Sequence, residues 1–124
     1  MERNAWIDLR KRKPAKRDGE FVLMWHVYQG AMVERRQQYR SNRFYSHWRP
    51  MPTEGWIDAR ERKPTIADSD VWHCVLTRHE IDGFKVTGWH QFDVDRYLTH
   101  WMPTPEPPPN YRELRNSIEG GSHR

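Results

Sequence analysis

Two aspartates and two histidines recur at matching places in this chain, and they are residue types that can carry out acid–base chemistry. Asp8 and His47 lie near the ends of one stretch, and Asp58 and His100 lie near the ends of a second. An Asp–His pair can orient an imidazole for proton transfer, but catalysis also needs a nucleophile or a metal within reach. Ser46 precedes His47, yet neighbouring strand residues point to opposite faces. We therefore favour hydrogen bonds that hold the repeat ends together, and we expect no enzymatic activity.

The chain is a tandem duplication. Trp-Ile-Asp-Leu-Arg-Lys-Arg-Lys-Pro at residues 6–14 returns as Trp-Ile-Asp-Ala-Arg-Glu-Arg-Lys-Pro at residues 56–64, with seven of nine positions identical. Each copy also closes on His-Trp-x-Pro, so the repeat is about fifty residues long. The predicted division is a basic first repeat over residues 1–52, an acidic second repeat over residues 53–109, and a short C-terminal helix and tail over residues 110–124.

The hydrophobic patterns predict a mostly β protein of the small α+β class. Phe21–Tyr28 is apolar on both faces, as in a doubly covered strand, and Val71–Leu76 occupies the same place in the second copy. Residues 84–92 alternate as a half-buried strand does, and residues 31–39 are their more polar counterpart. A third strand ends at each His-Trp, before a proline. Each repeat is thus predicted to be a three-stranded antiparallel meander preceded by an extended Trp-Ile-Asp arm.

Tryptophan supplies the expected core of each repeat. A fifty-residue unit buries little surface alone, so we expect the two pseudo-symmetric meanders to pack on each other through these rings. The segment 103–109 is rich in proline and must be an extended strap, and Asn110 can cap a short helix after it. The predicted structural core residues are Trp6, Asp8, His47, Trp48, Trp56, Asp58, His100 and Trp101.

Several classes of protein are excluded by the composition. No apolar run is long enough to cross a membrane and no apolar signal segment follows the N terminus, so we expect a cytoplasmic protein with no membrane partner. Cys74 is the single cysteine and cannot form an internal disulfide. Its neighbour His73 points to the opposite face, and no other pair has zinc-ligand spacing. We expect no metal and no cofactor, and no glycine-rich loop predicts nucleotide hydrolysis.

Charge is distributed unequally between the halves. Residues 1–52 contain twelve Lys and Arg against five Asp and Glu, whereas residues 53–124 contain nine against twelve. This asymmetry suggests that the first repeat faces an anionic partner. A second interpretation is that the basic and acidic halves attract each other.

The basic residues of the first repeat are the candidates for binding such a partner, because guanidinium groups next to aromatic rings hold phosphates and bases. A run of charge is also commonly a solvated face, and part of this run recurs in the acidic copy at residues 60–63. The candidate binding residues are Arg10, Lys11, Arg12, Lys13, Lys16, Arg17, Arg35, Arg36, Tyr39, Arg40, Arg43 and Tyr45.

Both copies resemble the domain-of-unknown-function 551 family. The similarity rests on the Trp-Ile-Asp opening, the Arg/Lys-x-Pro that follows, Asp-Gly-Glu at residues 18–20 before an apolar strand, and the closing motif at residues 99–107. That family occurs mainly in phages and prophages, so the resemblance implies a small accessory protein inside a bacterial host cell, without implying any catalytic residue. The first copy departs from the pattern at Arg49 and at the basic stretch of residues 10–13.

These observations lead to two functional hypotheses. The first is a non-enzymatic phage-type protein that binds and modulates a host protein or a defence complex, since Tyr, Trp and Arg dominate interface energetics. The alternative is binding of nucleic acid or a signalling nucleotide through the basic first repeat. Both a monomer and a homodimer are compatible with the sequence.

Overall fold

A computed structural model describes residues 6–38, 43–113 and 115–116, and the chain divides into two compact units. The first unit contains the chain up to Met51 together with the segment from Glu106 onward, and the second unit is Pro52–Pro105. Residues 106–109 therefore belong to the first unit, whereas we predicted that the second repeat extends to residue 109.

The first unit is a four-stranded antiparallel sheet. Its strands are β1 (Ile7–Asp8), β2 (Phe21–His26), β3 (Gly30–Arg35) and β4 (Tyr45–Pro50), in the spatial order β1-β4-β2-β3. Strand β2 is central because residues 22–25 are all buried and need cover on both faces.

The second unit repeats this sheet. Its strands are β5 (Ile57–Asp58), β6 (Cys74–His79), β7 (Gly83–Gly88) and β8 (Leu98–Met102), in the order β5-β8-β6-β7. The mostly β prediction is confirmed, with two antiparallel sheets, one short helix at residues 111–113 and 115–116, and aromatic clusters that include tryptophan. No helix in the described part of the chain is long and apolar enough to span a membrane.

The predicted meander order is wrong in both units. The last strand of each repeat pairs with the first strand of the hairpin and not with the second, since β4 lies beside β2 and β8 lies beside β6. The apolar first strand needs a neighbour on each side, whereas the more polar second strand can form an edge. The Trp-Ile-Asp arm is also not a free extension, because it pairs with the last strand as a two-residue edge strand.

The first long strand of the second unit begins later than predicted. Val71–Leu76 was expected to be a strand, but β6 starts at Cys74 because residues 71–73 form a turn. The Asp70 carboxylate accepts the backbone N–H groups of Trp72 at 2.9 Å and Cys74 at 3.0 Å, which closes that turn. The following strand ends at Gly88, and Trp89–Asp93 is a 3₁₀ helix where strand was expected.

One tryptophan anchors each core. Trp48 packs with Val22 and Met24 in the first unit, and Trp101 packs with Val75 in the second; both indoles are fully buried.

The C-terminal segment covers the other face of the first sheet. The Trp6 indole donates a hydrogen bond to the Glu106 carbonyl at 2.7 Å, and Pro108 is fully buried. Trp25 lies between two rings edge-on, with centroid distances of 5.7 Å to Trp6 and 5.2 Å to Tyr111. The segment from Glu106 onward therefore completes the first unit, although it follows the second unit in the sequence.

Candidate functional site

Each repeat opens on the same hydrogen-bonded turn. The Asp8 carboxylate accepts the Arg10 backbone N–H at 2.8 Å and two guanidinium N–H groups at 2.7 and 3.1 Å. Asp58 and Arg60 form the same three bonds, at 2.8, 2.8 and 3.2 Å. The arginine hydrogen bonds lower the pKa of Asp8 and of Asp58 to about 2. This arginine, although its head is exposed, is therefore part of the turn in both copies.

A second arginine joins the turn to the core. The Arg12 carbonyl accepts a hydrogen bond from the Trp48 indole N–H at 2.7 Å. The Arg12 guanidinium lies 4.7 Å from the centre of the Trp48 ring. The same guanidinium donates to both carboxylate oxygens of Asp18, at 3.1 and 3.2 Å, and thereby lowers the pKa of Asp18. Arg12, a predicted binding residue, thus contacts both Asp18 and Trp48 within the fold.

The second unit repeats this arrangement around its own tryptophan. The Arg62 guanidinium lies 4.7 Å from the ring centre of Trp101 and donates a hydrogen bond to Asp68 at 3.1 Å. The Arg62 carbonyl accepts the Trp101 indole N–H at 2.8 Å. The recurring Arg-x-Arg of the repeat motif is therefore explained by two intramolecular contacts, one to an aspartate of the turn and one to the buried tryptophan.

The two Asp–His pairs are cross-strand neighbours. His47 is opposite Asp8, and His100 is opposite Asp58. His47 is buried, and its Nδ1 shares a hydrogen bond of 2.8 Å with Ser46 Oγ, which reaches it although the two residues are adjacent in the strand. Among the described contacts, no hydrogen bond joins Asp8 to His47, because Arg10 occupies the carboxylate. Nucleophilic catalysis would need that carboxylate to orient the imidazole, so the geometry favours the structural interpretation.

Acid is expected to destabilise the first unit through its histidines. Burial lowers the pKa of His47 and of His26 below their ordinary value of 6.5. Each histidine takes up a proton more readily in the unfolded chain, so its contribution to stability is present above pH 6.5 and is lost as the pH falls through the lowered pKa of the folded state. Urea unfolding of the first unit at pH 7.5 and pH 5 should give a smaller unfolding free energy at pH 5.

A matched variant isolates the contribution of His47. His47→Gln keeps a polar side chain but cannot titrate, so the difference between the two pH values should become smaller and the remainder should come from His26. An unchanged difference would contradict a buried, neutral His47.

The remaining basic side chains between β1 and β2 form no ion pair in the part of the chain that the structure describes, although the charge of Arg17 helps to lower the pKa of Asp18. Lys11, Lys13, Lys16 and Arg17, which we call the basic loop, are exposed, and within the described residues none of them forms an ion pair. They lie on the segment between β1 and β2 that crosses the Trp48 face, where Arg12 anchors it.

Two other predicted cations flank the first hairpin. Arg35 forms an ion pair with Glu20 and lies 4.7 Å from the centre of the Phe21 ring. Arg36 donates from Nε to the Gly19 carbonyl at 3.2 Å, directly after the basic loop. Arg36 therefore lies next to the basic loop.

The other predicted binding residues lie elsewhere. Arg43 precedes β4, and its guanidinium lies 4.9 Å from the ring centre of Phe44. Tyr45 packs against the Trp48 core, where burial and a hydrogen bond donated to Glu34 raise the pKa of its hydroxyl. Tyr39 and Arg40 lie outside the described residues. The structure thus places Arg36 next to Gly19, directly after the basic loop, and places Tyr45 in the core.

One repeated residue escaped the sequence analysis. His26 Nδ1 accepts the backbone N–H groups of Tyr28 and Gln29 at 3.2 and 3.1 Å, which caps the turn after β2. His79 caps the equivalent turn after β6, with bonds of 3.2 and 2.9 Å. A Val-Leu-x-x-His motif occurs in both copies, at residues 22–26 and 75–79, and could have identified this histidine. The second copy has three more residues before this motif than the first, so a fixed offset of fifty residues does not align the two motifs.

Comparisons of the chain with protein-family models, with curated proteins and with solved structures gave no match. The resemblance to the domain-of-unknown-function 551 family therefore stays a prediction. In the part of the chain that the structure describes, no group of three His, Cys, Asp or Glu side chains is arranged to hold a metal ion.

Proposed function

We propose that this protein is a non-enzymatic accessory protein of phage type that binds an acidic surface of a host protein through the basic loop of its first unit, and thereby modulates that protein. The observation that carries the proposal is the difference between the two copies of one loop. The other supports are the charge of the first repeat and the family resemblance.

Alignment of the two copies distinguishes the cations that recur with intramolecular contacts from the cations that occur only in the first copy. The second unit builds the same turn, with Arg60 and Arg62 in the places of Arg10 and Arg12. Its other positions differ, since Glu61, Ile66 and Ala67 occupy the places of Lys11, Lys16 and Arg17. Lys13 has a counterpart in Lys63, but Lys63 is 3.5 Å from Asp93. Since the second unit forms without the extra charges, folding does not require them. Like charges crowded on one loop repel each other, and an anionic partner would relieve that repulsion.

The aromatic rings of the first unit favour a protein partner over single-stranded nucleic acid. Base recognition by a sheet needs ring faces that are free to stack. Phe21 is covered by Arg35, Phe44 contacts both Arg43 and Tyr28, and Tyr45 is part of the core. An acidic protein surface needs only the exposed ammonium and guanidinium groups, which the basic loop supplies.

A capture experiment tests the proposal. The tagged protein should retain a stoichiometric protein from a bacterial host lysate after nuclease treatment. The variant Lys11→Glu/Arg17→Ala copies Glu61 and Ala67 into the first unit, so its fold should be unchanged and its capture should fall at least about tenfold, because two charge-assisted contacts are lost. Mass spectrometry of the captured material and circular dichroism of the variant give both readouts.

The matched control is Arg43→Glu, which also reverses a charge in the first unit, but on the turn before β4 and outside the basic loop, and should leave capture within about twofold. The experiment could instead recover nucleic acid without a protein. If the loop variant did not retain that nucleic acid, and if its binding fell steeply with salt, the partner would be a nucleic acid and not a protein. Equal capture by the loop variant and the unaltered protein would remove the basic loop from the interface.

A further inference from the structure

The second unit carries a pocket that is separate from the basic loop. Its volume is about 830 Å³, and its lining includes Asp58, Arg78, Phe84, Arg96 and His100. Pockets that bind small molecules have volumes of about 300–1,000 Å³ and combine apolar walls with a few convergent polar groups. This pocket has both features.

Four of its residues form one row across the sheet. Asp58 is the cross-strand partner of His100, His100 is the partner of Arg78, and Arg78 is the partner of Phe84. Directly opposed residues of an antiparallel sheet share a face. The row therefore presents a carboxylate, an imidazole, a guanidinium and an aromatic ring, in that order.

The first unit has the same row and covers it with its own chain. The equivalent positions are Asp8, His47, Trp25 and Ala31. There Trp25 is buried beneath Tyr111 of the C-terminal segment, whose ring centroid lies 5.2 Å away. In the first unit this row is therefore covered by an aromatic ring of the same chain, whereas in the second unit it lines a pocket.

The exchanged residues indicate what the pocket selects. Trp25 and Ala31 of the first unit correspond to Arg78 and Phe84 of the second. The aromatic residue is therefore on β2 in the first unit and on β7 in the second, and an arginine occupies the position that corresponds to Trp25. Phe84 is held by Trp56, at a centroid distance of 5.6 Å.

Arg78 is the cation of this pocket that lies in the same row as Phe84. Its side chain is exposed, and in the described part of the chain it forms no ion pair. The other arginines of the lining already have partners, since Arg60 binds Asp58 at 2.8 Å and Arg96 donates to the Tyr97 hydroxyl at 3.0 Å.

We propose that the pocket of the second unit binds a small ligand in which a planar ring is joined to an anionic group. The ring packs on Phe84, as Tyr111 packs on Trp25 in the first unit, and the anionic group pairs with Arg78. A phosphate and a carboxylate satisfy this chemistry equally, so a nucleoside monophosphate and an aromatic carboxylate are its two sources.

Titration of the ¹⁵N-labelled full-length protein tests this site. The probes are adenosine monophosphate, 4-hydroxyphenylacetate and inorganic phosphate, each followed by amide chemical shifts. At least one of the two ring-containing probes should give saturable shifts at residues 78, 84 and 100, with a dissociation constant of about 1 mM or lower, and inorganic phosphate should not saturate. Arg78→Gln removes the charge from an exposed position and should weaken binding at least about tenfold, whereas Arg43→Gln in the first unit, outside the basic loop, should not.

The outcome with each probe distinguishes the two sources. Saturation by adenosine monophosphate alone assigns a phosphate ligand, and saturation by 4-hydroxyphenylacetate alone assigns a carboxylate. The proposal is overturned if neither ring-containing probe saturates, if inorganic phosphate binds as tightly, or if Arg78→Gln binds as well as the unaltered protein.

Discussion

Replacing Trp48 with alanine should lower the free energy of unfolding of the first unit by about 3–5 kcal/mol. The side chain is fully buried among Val22 and Met24, so the substitution leaves a cavity at the centre of a small core. It also removes the indole donor of the Arg12 carbonyl and the ring on which the Arg12 guanidinium lies. Because small domains are only marginally stable, this loss should unfold the unit at 37 °C. Urea unfolding, monitored by amide hydrogen exchange in each unit, measures the effect.

The second repeat provides the matched comparison. Trp101→Ala should destabilise the second unit by a similar amount, because Trp101 is equally buried and bonds to Arg62 in the same way. Trp48→Phe retains a ring but loses the donor, so it should cost less than Trp48→Ala. If Trp48→Ala left the exchange of β2 amides unchanged, the proposed role of Trp48 as the centre of the first core would be wrong.

Ending the chain after Pro105 should destabilise the first unit, although every deleted residue follows the second repeat. The deletion removes the Tyr111 ring from Trp25, the buried Pro108, and the Glu106 carbonyl that accepts the Trp6 indole N–H. Exposing the Trp25 face should cost on the order of 3 kcal/mol or more. Amide hydrogen exchange should accelerate in β2 and β3, while β6 and β8 keep their protection.

A shorter deletion is the control for that experiment. Ending the chain after Asn116 keeps the Trp6–Glu106 hydrogen bond, the Tyr111 ring against Trp25 and the buried Pro108, so the exchange of β2 amides should accelerate far less than after the longer deletion. Faster exchange in β6, with β2 unaffected, would contradict the assignment of the segment to the first unit.

The duplication and the β class could be predicted because they rest on long-range identity and on apolar alternation. The central strand was predictable from Phe21–Tyr28, which is apolar on both faces. Strand β1 was not, because two residues are too short to give a period. The order of the strands was also missed, because the apolar pattern does not show which strand of the hairpin the last strand pairs with; in the structure Trp48 is opposite Met24 of β2.

The candidate site was predicted in part. Residue type alone cannot distinguish Arg12, which bonds Asp18 and lies on Trp48, from Lys11, which is exposed. Aligning the two copies does distinguish them, because Arg12 recurs as Arg62 and Lys11 is replaced by Glu61. The partner of each aspartate could not be foreseen, since Asp8 binds an arginine two residues away and not the histidine that faces it across the strands.

The C-terminal segment has a consequence for the order of folding during synthesis. The second unit is a continuous stretch of chain, whereas the first unit is interrupted by it and is completed only by residues from Glu106 onward. On the ribosome, all of the second unit is therefore synthesised before the last part of the first. The repeat that is translated first must wait for its final contacts, with the Trp25 face open to chaperones or to other nascent chains until the C terminus emerges.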